Sequence, residues 1–259
     1  MEHVAQVVGA PVAVEELKRK PGRRRTFRAT GTRRTAIVKI YESDRAPVVA
    51  ARVRALSAGP REPRVPEVLH LDAGRRTVVL SEVSGRPLRE SIVSGDVAAC
   101  ARAGRALAAW HRAWRDVSPN GLLPHTMEDE ERILLSWVEA APPPISAAVR
   151  SVLPALRAEW RSTTVVHRDL YEEQVLLGKR VGLIDLDDAA LGPPELDVGN
   201  LIAHVELLER RRAADFRAAR AALLAGYGAD SLDAALFARC HRLALLRLAC
   251  IHGLPELVE

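Results

Sequence analysis

Aromatic side chains are scarce, making up 4% of the 259 residues, and no nucleic-acid recognition motif accompanies them. Specific nucleic-acid binding is therefore not expected, although a chain of net charge +5 can hold phosphate polymers non-specifically. Lysine is rare as well: it stands only at positions 18, 20, 39 and 179, and arginine supplies the remaining positive charge. That bias reads as a habit of composition and not as a surface shaped for a polyanion. No apolar run reaches the roughly 18 residues of a membrane span. The opening stretch MEHVAQVVGAPVAVEEL has acids but neither a basic head nor a small-residue cleavage site. A soluble, cytoplasmic protein without a membrane partner is expected. The three cysteines, Cys100, Cys240 and Cys250, are odd in number and lie far apart in Ala- and Leu-rich helical sequence. This argues against a disulfide framework or zinc site and for buried thiols. Nor does any G-x-G-x-x-G phosphate loop occur.

What is present starts with length, enough for one large domain or two lobes, since single cores rarely grow beyond about 250 residues. From Val12 to Tyr41 short apolar stretches alternate with basic turns, which predicts a three-stranded antiparallel start. At Pro21-Gly22, the turn's amides and the arginines after it could face phosphates, or the segment could be a plain basic hairpin. In the strand AIVKIY, Ile37, Lys39 and Tyr41 share a face, so Lys39 must reach water or meet a charge. In a chain that nearly always chooses arginine, a strand lysine suggests that a compact ammonium is wanted. Asp44 is expected to cap a helix that carries Pro47 in its first turn and ends before Gly59-Pro60. Val65 to Leu71 and Thr77 to Leu80 read as further strands. Later the apolar period lengthens to 3.6, predicting helices over 96–114, 127–140, 145–161, 198–212, 213–227 and 232–251. Acids at Glu128 to Glu131, Glu206 and Glu209 could face a cationic substrate, but acids of this kind are usually caps and solvated faces.

The stretch that organises the rest is Val165 to Asp188, VVHRDLYEEQVLLGKRVGLIDLDD. Three short aliphatic runs separated by a polar loop and by Gly178-Lys179-Arg180 predict a strand, a loop and a hairpin. That geometry gathers Asp169, Gln174 and Asp185. Phosphoryl transfer needs such a set: metal ions bridge the phosphate oxygens, and one unbound carboxylate orients or deprotonates the attacking hydroxyl. Asp169 would be the base, with Gln174 and Asp185 as Mg²⁺ ligands. A surface hairpin with solvated acids is the plainer alternative.

The segments HRDLYEEQVLL and LIDLDDAALGPPELDVGNL resemble the aminoglycoside phosphotransferases and related small-molecule kinases of the protein-kinase-like fold. The resemblance implies a two-lobed α+β fold, with an N-terminal antiparallel sheet lobe over residues 1–82 and a larger helical lobe over 83–259. It implies ATP and Mg²⁺ as cofactors and a small-molecule hydroxyl as acceptor. Lys39 would bind the nucleotide phosphates, and the main chain near Glu82 and Val83, within SEVSGRPL, would bind adenine. Asp197 would brace the catalytic loop. His111 and the tryptophans are expected in the core and at caps. The sequence departs from the pattern in the helix after Lys39, where VVAARVRALSA carries no acid to pair with the lysine. Glu42, Asp44 or Glu62 could substitute, or Lys39 could pair with Asp185 and nucleotide. That gap, the weak glycine turn and Gln174 leave a non-catalytic nucleotide-binding or scaffold protein as the alternative. The acceptor's identity and the oligomeric state have no signature.

Overall fold

The computed structural model describes residues 2–258. A short helix, α1 (Glu2–Val8), precedes three strands joined by tight turns: β1 (Ala13–Lys20), β2 (Arg24–Thr30) and β3 (Thr35–Tyr41). After α2 (Ala46–Ser57), strands β4 (Val68–Asp72) and β5 (Thr77–Ser81) complete a five-stranded antiparallel sheet in the order β1-β2-β3-β5-β4. The alternation in β3 sorts its side chains as the sequence predicts. Ala36 and Val38 pack with Val4 and Val8 of α1, while Tyr41 joins the core that holds Val49, Val53 and Leu56 of α2. Val49, Val53 and Leu56, fully buried, each contribute roughly 1.5–3 kcal/mol. They fix α2 across the sheet face that carries Lys39.

The chain then enters a mainly helical lobe. β6 (Arg86–Pro87) leads into α3 (Leu88–Ser94), α4 (Val97–Ala113), α5 (Met127–Val138) and α6 (Pro143–Leu156). Strands β7 (Thr164–Val166), β8 (Val175–Leu177) and β9 (Val181–Leu183) follow, then a 3₁₀ turn at Leu186–Asp188 and β10 (Ala190–Gly192). The expected hairpin is the β8-β9 pair, which β6 extends, and β7 pairs with β10. Helices α7 (Glu195–Arg212), α8 (Arg217–Tyr227) and α9 (Ala234–His252) close the lobe. This is the two-lobed α+β architecture that the resemblance implies.

Two features position the site. The Asp96 side chain caps α4 by accepting from the Ala99 amide at 2.9 Å. At the α4-α8 crossing glycines face each other's helix: a Cβ on Gly104 would lie 2.1 Å from the Leu223 carbonyl oxygen, and one on Gly226 2.1 Å from that of Ala101. The two backbones touch.

Several boundaries differ from expectation. Asp44 is not a cap: its carboxylate accepts from Arg76 at 2.7 Å, and Arg45 stands at the helix entry without a side-chain cap. α6 ends at Leu156 and not at Arg161, with Pro154 in its last turn. α7 begins at Glu195, because Pro193-Pro194 supplies a helix entry that needs no N–H donor, and Asp197 therefore rides its first turn. Ala213, expected to open the next helix, is the left-handed end of α7 at φ 47°. All three cysteines are buried free thiols, as anticipated. Among the described residues no helix is long and apolar enough to cross a membrane.

Candidate active site

The loop between β7 and β8 is held from below by Asp197. One carboxylate oxygen accepts from the His167 amide at 2.7 Å and the other from the Arg168 amide at 2.8 Å. The pair fixes a turn in which Arg168 adopts φ 71°, a left-handed value that a side-chain-bearing residue keeps only when its surroundings enforce it. His111 completes the brace. Buried as expected, it also makes contacts the sequence did not foresee: its Nε2 lies 3.2 Å from Asp197 and its Nδ1 2.8 Å from the Tyr227 hydroxyl. Burial alone would raise the Asp197 carboxyl, but His111 and the loop amide hold it below its ordinary value. A second brace reaches the loop from α7: the Asn200 amide donates to the Leu170 carbonyl at 2.7 Å, and Arg247 joins Asn200 to Glu130, at 2.5 Å each.

Above this loop the two lobes meet in a buried charge cluster. Lys39, 5% exposed, donates to Asp185 Oδ1 at 2.8 Å and to Asp187 Oδ1 at 2.5 Å. The missing helix acid is thereby answered by Asp187, and not by Glu42, Asp44 or Glu62. Glu62 instead accepts from the Val181 amide at 3.1 Å. The α2 side supplies cations: Arg52 donates to the Asp187 carbonyl at 2.6 Å and Arg45 to Asp188 at 2.7 Å. Arg24, one of the arginines after Gly22 that could face phosphates, makes a pairing that was not foreseen. From the first position of β2 it donates to Asp185 Oδ2 at 2.6 Å and to Asp187 Oδ2, where the Tyr41 hydroxyl also binds at 2.8 Å. Burial disfavours the Asp185 charge, yet Lys39 and Arg24 overcome it and hold the carboxyl well below the usual carboxylate range. Burial likewise opposes the Lys39 charge, and Asp185 and Asp187 reverse it, keeping the ammonium protonated.

The sequence-predicted residues divide. Lys39, Asp185 and Gln174 converge; Gln174 Nε2 lies 3.5 Å from Asp185 Oδ2. Asp169 is half-buried on the braced loop and takes none of the hydrogen bonds that engage Asp185, Asp187 and Asp197. Glu82 and Val83 lie on the segment after β5, with Val83 packed against Gly182 of β9. The Glu82 carboxylate accepts from Arg28 at 2.9 Å, while the main chain of Glu82 and Val83 takes no part in the hydrogen bonds between turns and loops.

The donor chemistry fits a hard cation. Gln174 is 2% exposed and its Oε1 has no hydrogen-bond partner, an orphaned buried oxygen beside the Asp185 carboxylate. No set of three His, Cys, Asp or Glu side chains suited to a metal occurs among the described residues. A Mg²⁺ here would draw its remaining oxygens from phosphates and water, as that ion usually does. A cavity of about 220 Å³ adjoins the cluster under the Pro21-Gly22 turn, lined by Lys20, Gly22, Arg23 and Arg24 among others, with charge suited to a polyphosphate.

Residues 20–243 match the family model described as the phosphotransferase enzyme family. The chain belongs to that family. This phosphotransferase also shares its fold with solved small-molecule kinases. Choline kinase from Cryptosporidium parvum aligns at 9% identity over 96% of this chain and 87% of that one, with a TM-score of 0.65. A thermostable aminoglycoside phosphotransferase mutant, in a ternary complex with ADP and hygromycin B, aligns at 17% identity over 99% and 93%, TM-score 0.64. Spectinomycin phosphotransferase, in complex with ADP and spectinomycin, aligns at 13% identity over 97% and 85%, TM-score 0.63. No curated protein matches the phosphotransferase by sequence. Of the cleft residues given no pairing in the sequence, Arg24 left one trace, its place among the arginines after Gly22; in the sheet it pairs in register with Tyr41, two residues from Lys39 and on the same face.

Proposed function

We propose that this phosphotransferase moves the γ-phosphate of ATP to a hydroxyl of a small molecule. The observation that carries the reading is Lys39 meeting Asp185 across the cleft, beside an Asp197-braced loop that presents an uncommitted Asp169. Lys39 would hold the phosphates nearest the sugar, with the amides after Pro21 covering them. Glu82 and Val83 would offer main-chain groups to adenine. Asp185 and Gln174 would hold Mg²⁺, which, when bound, neutralises charge on the transferred phosphate. Asp169 orients the acceptor hydroxyl and takes its proton late in the transfer, a contribution of typically 10²–10⁴-fold. Positioning supplies most of the remaining acceleration.

On this reading residues 1–82 form the nucleotide lobe and residues 83–259 the catalytic and acceptor lobe. ATP use and three buried thiols without disulfides favour a cytoplasmic location. The pairing of Lys39 with Asp187 removes one of the three supports of the non-catalytic alternative, the missing helix acid, and leaves the glycine turn and Gln174.

Calorimetry with ATP, with and without Mg²⁺, tests the reading. The native chain should bind Mg²⁺-ATP, and Asp185→Asn should weaken that binding at least tenfold. Asp169→Asn should keep nucleotide affinity within twofold while lowering turnover by two orders of magnitude or more. Full turnover in Asp169→Asn would remove it as base, and no ATP binding by the native chain would remove the kinase reading itself.

A further inference from the structure

A second cavity, of about 640 Å³, opens on the helical side of the catalytic loop. Tyr171 and Glu172 form its loop edge, only two residues from Asp169. Its floor is the buried pair Leu207 and Leu208 of α7. The charges around it are mostly positive. Lys18, Arg89, Arg211 and Arg212 line it, against Glu172 and Glu173. The two acids are not equally available, since Glu173 already accepts from Arg89 at 2.5 Å. Arg211 and Arg212, at the end of α7, are exposed, and neither pairs with a carboxylate among the described residues. Lys18 donates to the Tyr171 hydroxyl at 3.3 Å and lies over its ring, and it pairs with no carboxylate among the described residues.

The one carboxylate left to the cavity is Glu172, 8% exposed, whose Oε2 has no hydrogen-bond partner. His204 Nδ1 lies 4.0 Å from that oxygen, beyond hydrogen-bonding distance, and its ring stacks on Tyr171 with centroids 5.0 Å apart. A buried polar oxygen without a partner in a cavity wall is a binding feature looking for a donor. Several acids that could have drawn a polycation are committed elsewhere: Glu130 to His125 and Arg247, Glu206 and Glu209 to Arg220.

Resting on the phosphotransferase reading above, we propose that the acceptor is an anionic hydroxyl compound. Its carboxylate or phosphate sits on Arg211 and Arg212, its nucleophilic hydroxyl faces Asp169, and a further O–H or N–H donates to Glu172. A guanidinium group suits a carboxylate or phosphate through charge-assisted, two-pronged hydrogen bonds, and those of Arg211 and Arg212 both line this cavity. A polycation would meet a wall of its own sign, a repulsive element that sets selectivity as firmly as the attractive one.

The test is calorimetric titration of the protein loaded with ADP and Mg²⁺, using glycerol 3-phosphate, glycerol and hygromycin B as separate probes. Glycerol 3-phosphate should bind at least tenfold more tightly than either other probe. The double substitution Arg211→Gln with Arg212→Gln should erase that preference, and Arg211→Glu with Arg212→Glu should turn it toward hygromycin B. Arg150→Gln, outside the cavity, should change nothing. Equal or tighter binding of hygromycin B by the native chain, no binding of glycerol 3-phosphate, or a preference that survives the double substitution would each overturn the proposal. ADP loading separates the two levels of failure. If ADP does not bind, the phosphotransferase reading fails first; if ADP binds and the anion does not, only the acceptor class is wrong.

Discussion

Asp185 and Asp187 present four carboxylate oxygens, and Lys39, Arg24 and Tyr41 occupy all of them. A metal ion on Asp185 must therefore compete with the Arg24 guanidinium, which then lies next to the turn where phosphates would sit. Arg24→Gln removes the competitor, so affinity for Mn²⁺ in the absence of nucleotide should rise about tenfold, a change of about 1.4 kcal/mol. Electron paramagnetic resonance of Mn²⁺ reads this directly. Unchanged affinity would mean that Asp185 is not the metal's ligand or that the guanidinium does not block it. At this scale the sequence was informative where spacing is local. Asp169, Gln174 and Asp185 flank one hairpin, whereas the Arg24 and Asp187 pair spans 163 positions, a distance no local pattern encodes. The role of Asp187 went unseen for a related reason: a helix acid was sought where charge is instead balanced from the opposite strand and loop.

Among the elements, the long amphipathic helices and the central hairpin were legible because period and punctuation agree over many residues. The seven-residue α1 and α3 and the two-residue β6 were not, since so few positions cannot display a period. Helix contact was equally hidden: nothing in the sequence says that Gly104 and Gly226 belong to one crossing. Their close approach brings α8 onto α4, so that Tyr227 reaches His111 and, through it, Asp197. Gly226→Val would force its side chain into the Ala101 backbone, which cannot yield without moving a helix. Overpacking of that kind costs about 1–3 kcal/mol or more. The expected result is a lower urea midpoint together with lost turnover, as the loop brace shifts. Gly95→Ala makes a useful comparison: no atom crowds a Cβ there, so the cost is only the backbone strain of φ 75°. A Gly226→Val protein as stable as the native one would show that the helices can separate freely.

For the molecule as a whole, two sets of buried acids give stability a defined pH profile. Burial works against the Glu130 charge, but Arg247 and His125 bring its carboxyl down to about 2. Its folded value lies below its unfolded one, so it stabilises the fold above about pH 4.5 and that contribution disappears toward pH 2, roughly 3 kcal/mol in all. Asp185 and Asp197 act in the same direction. Glu172 acts in the opposite one: burial puts its folded value at about 6, above the unfolded value, so stability falls as pH rises from about 4.5 through 6. His204 outweighs it over that range: burial holds the folded imidazole at about 3, below its unfolded value, so its contribution is lost as pH falls from about 6.5. A melting profile against pH should therefore climb to about 6.5, and Glu172→Gln should steepen the climb between about 4.5 and 6; equal slopes in the two proteins would contradict the assignment.

The same charges join the two lobes. Asp187, 1% exposed, ties the helical lobe to β2 and β3 of the sheet lobe through Arg24, Lys39 and Tyr41. Asp187→Asn leaves two buried cations with Asp185 alone, and breaking a buried pair in this way costs about 3–5 kcal/mol. Because the lost contacts lie between the lobes, the cost should appear first as loosening at the segment that connects them. Limited proteolysis should then cut near residues 82–87 faster than in the native chain. Asp188→Asn gives the needed contrast: its partner Arg45 is an arginine 38% exposed at its side chain, and removing such a pair costs at most about 1 kcal/mol. Equal cleavage rates in the two variants would locate the coupling of the lobes in the apolar packing of α2 rather than in the charge cluster.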